Sequence, residues 1–236
     1  MASCATKKEI LYFQNAEQLN EQETAQYFEP KIEPNDILYI SVSALEEKII
    51  KPFQKVSGLP TDTRDEQLQG YLVSPNGTIQ YPGLGPVEVV GKTRVEVISS
   101  LTDMLSEYVK DVVVDVRIIN FKITVLGEVA MPGVYTIKDE RVTIPQAIGL
   151  AGDFTADGKR ETVTIIREEN GVQTVTKVDF TKTDFFSSPY YFLKQNDIIY
   201  VEPSLKGVKK SGFIPDVPAL LSVATIILSA VILLTR

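Results

Sequence analysis

The first half of the chain alternates apolar with polar side chains in short runs, which is the pattern of half-buried β-strands. Residues 36–42 and 112–119 each predict one strand. Residues 71–73 and 78–81 flank the sequence Ser74-Pro75-Asn76-Gly77. Because Asn-Gly readily adopts the positive φ angles of a tight turn, we expect these two runs to pair as a hairpin.

One helix is predicted between these strands. Residues 82–86 are rich in Pro and Gly and predict a rigid loop, which a strand at 87–90 follows. Thr93 then begins a helix, and Glu96 stands three residues later, where it completes a capping box. The apolar positions that follow at helical spacing are Val95, Ile98, Leu101, Leu105 and Val109.

The second half of the chain predicts five strands and one short helix. A hairpin is expected across Glu168-Glu169-Asn170-Gly171, again because of its Asn-Gly pair. The helix covers residues 143–150, and the strands cover residues 121–126, 134–137, 162–167, 172–178 and 197–201. The fold class is therefore α+β, with two small β-rich domains at residues 27–117 and 118–203.

One sequence occurs in both predicted domains. Asn35-Asp36-Ile37-Leu38-Tyr39-Ile40 matches Asn196-Asp197-Ile198-Ile199-Tyr200-Val201 nearly residue for residue. Asn-Asp before an alternating apolar run is ordinary chemistry for a turn that leads into a strand. We favour that interpretation over a duplication of the domain.

The end of the chain is far more apolar than the rest. Residues 217–234 carry no charge, and eleven of these eighteen residues are Val, Ile or Leu. As a helix this run would be about 27 Å long, close to the roughly 30 Å hydrocarbon core of a bilayer. We predict a transmembrane helix at 217–235, after a linker at 204–216. The alternative is a buried core helix, which would need a large partner surface.

Three hydroxyl side chains interrupt this apolar run at helical spacing: Ser222, Thr225 and Ser229. Together with Pro218 and Arg236 they fall within an arc of about 60° around a helix. This hydroxyl stripe is either a face of small residues on which helices pack in a membrane, or the weakly polar wall of a pore built from several copies. Both interpretations imply oligomerisation.

The only cysteine, Cys4, follows Ala-Ser and precedes a polar stretch. That arrangement is typical of the processing site of bacterial lipoproteins, where the cysteine carries acyl chains that hold the protein on a membrane. We predict lipidation of Cys4 and a lipid-anchor and linker segment at residues 1–26, whose apolar cluster is Leu11, Tyr12 and Phe13. A stray cysteine near a disordered terminus is the alternative.

Composition narrows the chemistry further. The net charge of -7 and the pI near 4.8 argue against nucleic acid, which requires clustered Lys and Arg. With no histidine and one cysteine, the chain lacks the commonest general base and the usual ligands of zinc. A carboxylate pair of the glycosidase type is the remaining enzymatic option, and no spacing nominates one. We expect no catalytic residue, no metal and no cofactor.

Over about residues 27–203 the chain resembles a known bacterial family. The first domain resembles the polysaccharide export domain, through Pro34-Asn35-Asp36, Ile40-Ser41-Val42, Asn76-Gly77-Thr78-Ile79, Leu84-Gly85 and Gly91-Lys92-Thr93. The second resembles a soluble-ligand-binding β-grasp (SLBB) domain, through Gly127-Glu128-Val129, Pro132-Gly133, Ala151-Gly152 and Asn196-Asp197-Ile198-Ile199. Asn76 and Asp153 depart from the Asp and the Gly usual in the family, and well-studied members carry two or more β-grasp domains.

The resemblance implies an outer-membrane lipoprotein with its body in the periplasm, assembled into a homo-oligomeric ring that is often an octamer. Capsular polysaccharide or exopolysaccharide would pass through the ring without a chemical step. An inner-membrane polysaccharide co-polymerase of the tyrosine-autokinase type would dock from below. The alternative is a tail-anchored periplasmic adaptor that binds a saccharide or a protein and has no pore of its own. A glycan-cleaving enzyme is the third possibility.

Overall fold

The computed structural model describes residues 11–17, 29–55, 70–169, 171–204 and 217–234. These residues form the mixed α+β arrangement expected from the sequence. The strands are β1 Ile37–Ser43, β2 Tyr71–Leu72, β3 Thr78–Tyr81, β4 Gly85–Glu88, β5 Val113–Ile118, β6 Lys122–Gly127, β7 Gly133–Thr136, β8 Val142–Thr143, β9 Gly158–Glu169, β10 Val172–Val178, β11 Phe192–Leu193 and β12 Ile198–Pro203. The helices are α1 Glu47–Ile50, α2 Arg94–Ser106, α3 Ile144–Leu150 and α4 Val217–Leu234.

The first domain contains β1 to β5 with α1 and α2. Its antiparallel sheet has the order β2-β1-β5, β3 and β4 form a separate hairpin, and α2 packs on β5. The alternation predicted for β5 is seen, because Val114 and Val116 are buried whereas Val113 faces solvent. The side chains of this sheet, the hairpin and α2 enclose one hydrophobic core.

The hairpin predicted across residues 74–77 has the wrong strand pairing, although its turn forms. Gly77 has a φ of 80°, and its N–H donates to the carbonyl of Ser74 over 2.9 Å. Beyond the turn, β2 pairs with β1, whereas β3 pairs with β4 across a tighter turn that contains Gly83 at φ 77°. Residues 82–86, predicted as a loop, therefore form the turn between β3 and β4 and the first residues of β4. The strand β3 completes its hydrogen bonds with β4.

The predicted buried face of α2 is confirmed at Leu101 and Leu105 and differs at the start of the helix. Val97, Leu101 and Leu105 are spaced four residues apart and are fully buried against the sheet. Val95, which we expected in the same row, lies about 200° from Val97 around the helix and is mostly exposed.

Both domains begin their main helix with the same cap. Thr93 accepts a hydrogen bond from the N–H of Glu96, and the Glu96 carboxylate accepts one from the N–H of Thr93. Thr143 and Gln146 exchange the same two bonds at the start of α3. Each capping box satisfies N–H groups that a helix start leaves without partners. The cap predicted at Thr93 is confirmed.

The second domain contains β6 to β12 with α3. Its five-stranded sheet has the order β10-β9-β12-β6-β7, in which only β12 and β6 run parallel among the described strands. The predicted β9–β10 hairpin is confirmed, with Glu169 opposite Val172. Gly127, at φ 88°, ends β6 so close to β12 that an added Cβ would meet the Val201 carbonyl oxygen at 2.1 Å.

Residues 11–17, predicted as part of a linker, pack on the second domain. The N–H of Phe13 donates to the Phe180 carbonyl over 3.2 Å, and that of Gln14 donates to the Thr181 carbonyl over 2.8 Å. The rings of Tyr12 and Phe13 pack against the core of this domain. We call residues 11–17 the N-terminal strap. The linker interpretation did not include this packing, which buries apolar surface of the two rings.

The apolar end of the chain forms the predicted helix, α4, over Val217–Leu234. At 1.5 Å per residue, its eighteen residues extend about 27 Å. Over the part of the chain that the structure describes, none of the helices combines the length and the apolar character needed to cross a membrane. The transmembrane assignment of 217–235 is therefore unsupported.

Candidate functional site

A cavity of about 560 Å³ lies where the two domains meet, and we call it the interdomain cleft. The first domain contributes residues that precede β1, the start of α2 and the end of β5. The second contributes the segment after β7 and the turn before β12. Apolar side chains in its lining are Pro30, Ile118, Phe121 and Leu193. Ile118 packs against the cores of both domains, so the cleft opens at their junction.

The cleft is lined by charged groups of both signs in equal number. Its acidic residues are Glu29, Glu33, Asp36, Asp139 and Glu140. Its basic residues are Lys31, Arg94, Arg117, Lys138 and Lys194. The lining therefore has no net formal charge, although the chain as a whole is acidic.

One amide side chain, Asn120, joins the domains beside the cleft, and a second, Gln195, bonds the backbone around it. Asn120 accepts a hydrogen bond from the N–H of Ile37 over 2.8 Å and donates to the Asn35 carbonyl over 2.9 Å. Gln195 accepts from the N–H of Lys122 over 2.7 Å and donates to the Asn120 carbonyl over 2.9 Å. Each amide satisfies one backbone donor and one backbone acceptor, so the junction is a specified contact.

Ion pairs engage three of the basic groups around the cleft, and one of them is the contact of Lys194 with Glu169. Nε of Arg94 lies 2.9 Å from Oε1 of Glu140, which joins α2 of the first domain to the second domain. Nη1 of Arg94 also lies 3.5 Å from Oδ1 of Asp115, and Nε of Arg117 lies 3.0 Å from Oδ2 of Asp115. All of these side chains are partly exposed, so each pair contributes at most about 1 kcal/mol to stability.

Asp36 is placed by the turn that leads into β1. Asn35 adopts a φ of 71°, which Asn tolerates better than most residues. The N–H of Asp36 donates to the Glu33 carbonyl over 3.2 Å, and Oδ2 of Asp36 accepts from the Glu33 N–H over 2.8 Å. The Asp36 carbonyl accepts from the N–H of Val73 over 2.8 Å. These bonds hold the carboxylate in the wall of the cleft.

The other carboxylate oxygen of Asp36 has no partner among the residues that the structure describes. The residue is only 2% exposed, and Oδ1 is buried without a hydrogen bond from any described residue. Burial raises the pKa of Asp36 to about 6, the hydrogen bond from the Glu33 N–H lowers it, and the neighbouring Glu33 carboxylate adds to the increase. Burial also raises the pKa of Glu33. The cleft thus holds a buried acceptor that lacks a donor.

The repeated sequence in the second domain forms the same turn with a different outcome. Asn196 has a φ of 64°, and Oδ2 of Asp197 accepts from the N–H of Lys194 over 2.8 Å. Asp197 is fully buried, but Nε of Arg167 lies 2.9 Å from its Oδ1, and Nη2 lies 2.7 Å from its Oδ2. Nη2 of Arg167 also donates to the Phe192 carbonyl over 2.9 Å. This carboxylate is therefore satisfied on both oxygens.

The site residues predicted from sequence lie elsewhere. Cys4 is outside the described residues. Ser222, Thr225 and Ser229 are exposed on α4, where the Thr225 hydroxyl donates to the Ser222 carbonyl and the Ser229 hydroxyl donates to the Thr225 carbonyl. These two hydroxyls bond the backbone of their own helix, as Ser and Thr often do in helices. The hydroxyl stripe and the lipidation site stay predictions.

Sequence reasoning did not find the interdomain cleft. The signal that was available is the repeated Asn-Asp pair, because each Asp is buried in a turn beside the junction. Across the described residues, no group of three or more acidic or cysteine side chains is arranged to hold a metal ion. The chemistry that the cleft offers is hydrogen bonding, with one buried acceptor and a mixed rim of donors and acceptors.

Comparison with known proteins gives two matches to family models, one for each domain. A model described as polysaccharide biosynthesis/export protein matches residues 22–119, and an SLBB domain model matches residues 121–201. The EPS I polysaccharide export outer membrane protein EpsA of Ralstonia solanacearum is 34% identical over 140 residues, which are 57% of this chain. The protein of the same name from Ralstonia nicotianae is 31% identical over 139 residues. The matched region spans about a third of those relatives, 36% of each.

Proposed function

Because this chain belongs to the polysaccharide biosynthesis/export family, with an SLBB domain after its export domain, we propose that it is a component of the outer-membrane machinery that exports capsular or extracellular polysaccharide. The observation that carries this proposal is the succession of the two matched domains over residues 22–201. The relatives named as outer membrane export proteins support both the activity and the location. The role is transport, and the protein supplies no chemical step to the polymer.

In this proposal, copies of the chain assemble into a ring through which the polymer passes. The energy comes from polymer synthesis and from an inner-membrane co-polymerase of the tyrosine-autokinase type, which docks on the periplasmic side. Acyl chains on Cys4 hold each copy at the outer membrane, and two such chains suffice for stable anchoring.

Helix α4 is the element that we assign to lipid or to neighbouring copies. Its large apolar side chains are mostly exposed, for example 62% of Leu221, 67% of Ile226 and 83% of Leu233. A contiguous apolar surface of this kind marks a contact with a membrane or with another protein. The hydroxyls of Thr225 and Ser229 are bonded to the helix backbone, so the stripe is smooth and suits close packing of equivalent helices.

The proposal is tested by deleting the gene from its own bacterium and measuring extracellular polysaccharide. We expect deletion to abolish export and the wild-type chain to restore it. Cys4→Ser should lower export severalfold. Ser229→Trp, which fills the hydroxyl stripe, should block export, whereas Ile227→Trp is the matched control on the opposite side of the helix. Undiminished polysaccharide in the deletion strain would contradict the proposed function.

The ring is tested separately, by electron microscopy of the purified protein in detergent. Closed rings of many subunits are expected. A particle that stays monomeric would contradict the ring and favour the adaptor without its own pore. The adaptor also predicts that Ser229→Trp leaves export unchanged.

A further inference from the structure

The interdomain cleft contains a buried hydrogen-bond acceptor that the fold leaves unused. Oδ2 of Asp36 is held by the N–H of Glu33, but Oδ1 receives no hydrogen bond from any residue that the structure describes, and Asp36 is 2% exposed. Burial of a polar group without a partner destabilises a fold, and the effect is larger when the group is charged. In the second domain the equivalent carboxylate is satisfied by Arg167. In the first domain no described residue supplies the corresponding donor.

The charges around this acceptor indicate the kind of molecule that fits. Five acidic and five basic side chains line the cleft, so neither a polyanion nor a polycation meets a complementary surface. A neutral ligand with many hydroxyls can donate to carboxylates and accept from Lys and Arg at the same time. The lining therefore suits a polyhydroxylated molecule better than an ion.

The dimensions and the apolar surfaces agree with this chemistry. A cavity of about 560 Å³ lies within the usual size of small-molecule pockets and gives room for about two or three sugar units. Pro30, Ile118 and Leu193 provide apolar surface for the C–H faces of sugar rings. The contacts of Asn120 with the segment before β1, and of Arg94 with Glu140, fix the two walls relative to each other, which lowers the entropy lost on binding.

We propose that the interdomain cleft binds a short stretch of saccharide, one hydroxyl of which donates a hydrogen bond to Oδ1 of Asp36 once a small rotation of that side chain exposes the atom, which has almost no accessible surface in the unbound structure. This inference rests on the proposed function, because the exported polymer is the source of the saccharide. Lys31 and Lys138 at the cleft donate to ring or hydroxyl oxygens, and Glu33 accepts from a second hydroxyl. The cleft would hold a segment of polymer at the contact between the export and SLBB domains.

The test measures binding to the full chain in detergent by calorimetry. The probe is a set of fragments of two to four sugar units, made by mild acid hydrolysis of the polymer that the bacterium of origin secretes. The key variant is Asp36→Asn, which keeps an acceptor for the Glu33 N–H and replaces Oδ1 by an NH₂ donor. Asp103→Asn, an exposed position on α2 that does not line the cleft, is the control with the same change of charge.

We expect saturable binding to the wild type and to Asp103→Asn, and at least a tenfold loss of affinity for Asp36→Asn. Backbone amide signals of Glu33 and Asn120 should shift when fragments bind. No binding to the wild type, or equal binding to Asp36→Asn, would overturn the proposal.

The export assay separates this inference from the proposed function. If the wild-type chain restores export but the fragments do not bind, the saccharide site is wrong and the export role stands. If deletion leaves export intact, the export role fails, and the affinities of the two variants still decide whether the cleft is a saccharide site.

Discussion

The two Asn-Asp turns of this chain share a sequence and a set of backbone hydrogen bonds but differ in what lies across the sheet. In the second domain, continuing the Ile198–Ile166 register by one residue places Arg167 opposite Asp197. In the first, continuing the Leu38–Ile118 register by two residues places Asn120 opposite Asp36. Arg167 binds its carboxylate through three nitrogen–oxygen contacts, whereas Asn120 bonds only backbone groups.

This difference separates a structural carboxylate from one that is available to a ligand. The turn itself is local chemistry, since an Asp side chain accepts from the N–H three residues earlier in both domains. Whether the second oxygen is satisfied depends on one residue of the neighbouring strand. Asp197 belongs to the packing of the second domain, while Asp36 borders the interdomain cleft. The following variants test that distinction.

The largest effect is expected for Arg167→Met. The substitution leaves the Asp197 carboxylate buried with only the N–H of Lys194 as a donor, and breaking a buried ion pair in this way costs about 3–5 kcal/mol. The second domain should lose stability while the first is spared. Hydrogen exchange measured by mass spectrometry should show faster exchange across residues 122–201 than in the wild type.

Arg117→Met is the matched control for that variant. Arg117 also pairs with an aspartate, Asp115, but its side chain is 71% exposed, so its loss should change the free energy of unfolding by less than about 1 kcal/mol. Equal losses for Arg167→Met and Arg117→Met would show that burial of the first pair has no energetic consequence, which would remove the basis of the comparison.

Asp36→Asn should have the opposite sign and stabilise the protein at pH 7. The rise in the pKa of Asp36 from 3.8 to about 6 corresponds to about 3 kcal/mol against folding with the residue ionised. The buried NH₂ group that replaces Oδ1 lacks an acceptor and takes back about 1 kcal/mol. A net gain of about 2 kcal/mol in the free energy of unfolding is expected in urea titrations at pH 7.

The pH dependence of that gain follows from the direction of the shift. Because the pKa is raised in the folded state, folded protein binds more protons than unfolded protein between about pH 4 and pH 6, and wild-type stability falls as the pH rises through this window. The advantage of Asp36→Asn should therefore disappear near pH 4. If Asp36→Asn stabilises the protein equally at pH 4 and pH 7, ionisation of the Asp36 carboxylate does not destabilise the folded state.

The sequence predicted those features that depend on neighbours in the chain. The capping box at Thr93, the turn at Gly77 and the β9–β10 hairpin each need only a few consecutive residues. The predicted pairing of β3 with residues 71–73 was wrong because two turns, at residues 74–77 and 82–84, compete for the same strand. The strand register that finally joins β3 to β4 depends on packing of the whole domain.

The interdomain cleft and the N-terminal strap could not be predicted, because both depend on contacts between distant parts of the chain. Tyr12 and Phe13 contact residues more than a hundred positions away, such as Phe154 and Phe185. The unsatisfied oxygen of Asp36 depends on the identity of Asn120, which lies in the connection between β5 and β6 and which no local pattern places opposite Asp36. The repeated Asn-Asp pair predicted both turns correctly. The residue that lies opposite each Asp, which makes the two turns different, is determined by the fold.

The N-terminal strap extends the contrast, because it contacts the second domain among the residues described. Phe13→Ala removes ring contacts with Phe185 and Phe186, whose centroids lie 6.0 and 5.5 Å away. Since Phe13 is only partly buried, we expect a loss of about 1.5 kcal/mol, less than the cost for a fully buried Phe. Leu11→Ala, at a residue that is 45% exposed, is the control and should cost less than about 0.5 kcal/mol.

Hydrogen exchange should again locate the effect of Phe13→Ala, with faster exchange in residues 158–193 and none added in β1 or β5. If both domains respond alike, the strap stabilises the junction and not the second domain alone.

The smallest effects are expected from the two helix caps, which test how far local chemistry is transferable between the domains. Thr93→Ala and Thr143→Ala each remove the oxygen that accepts from an N–H in the first helical turn, so each should cost about 1 kcal/mol in the free energy of unfolding. In both caps the threonine hydroxyl bonds within its own turn, whereas the second carboxylate oxygen of Asp36 or Asp197 depends on a residue of another segment. Equal costs in urea titrations are therefore expected, with Ser at either position restoring most of the loss. If one substitution costs several times more than the other, tertiary surroundings determine the strength of even this local bond. The contrast between the two Asp turns would then reflect the overall difference between the domains, with no special role for Arg167.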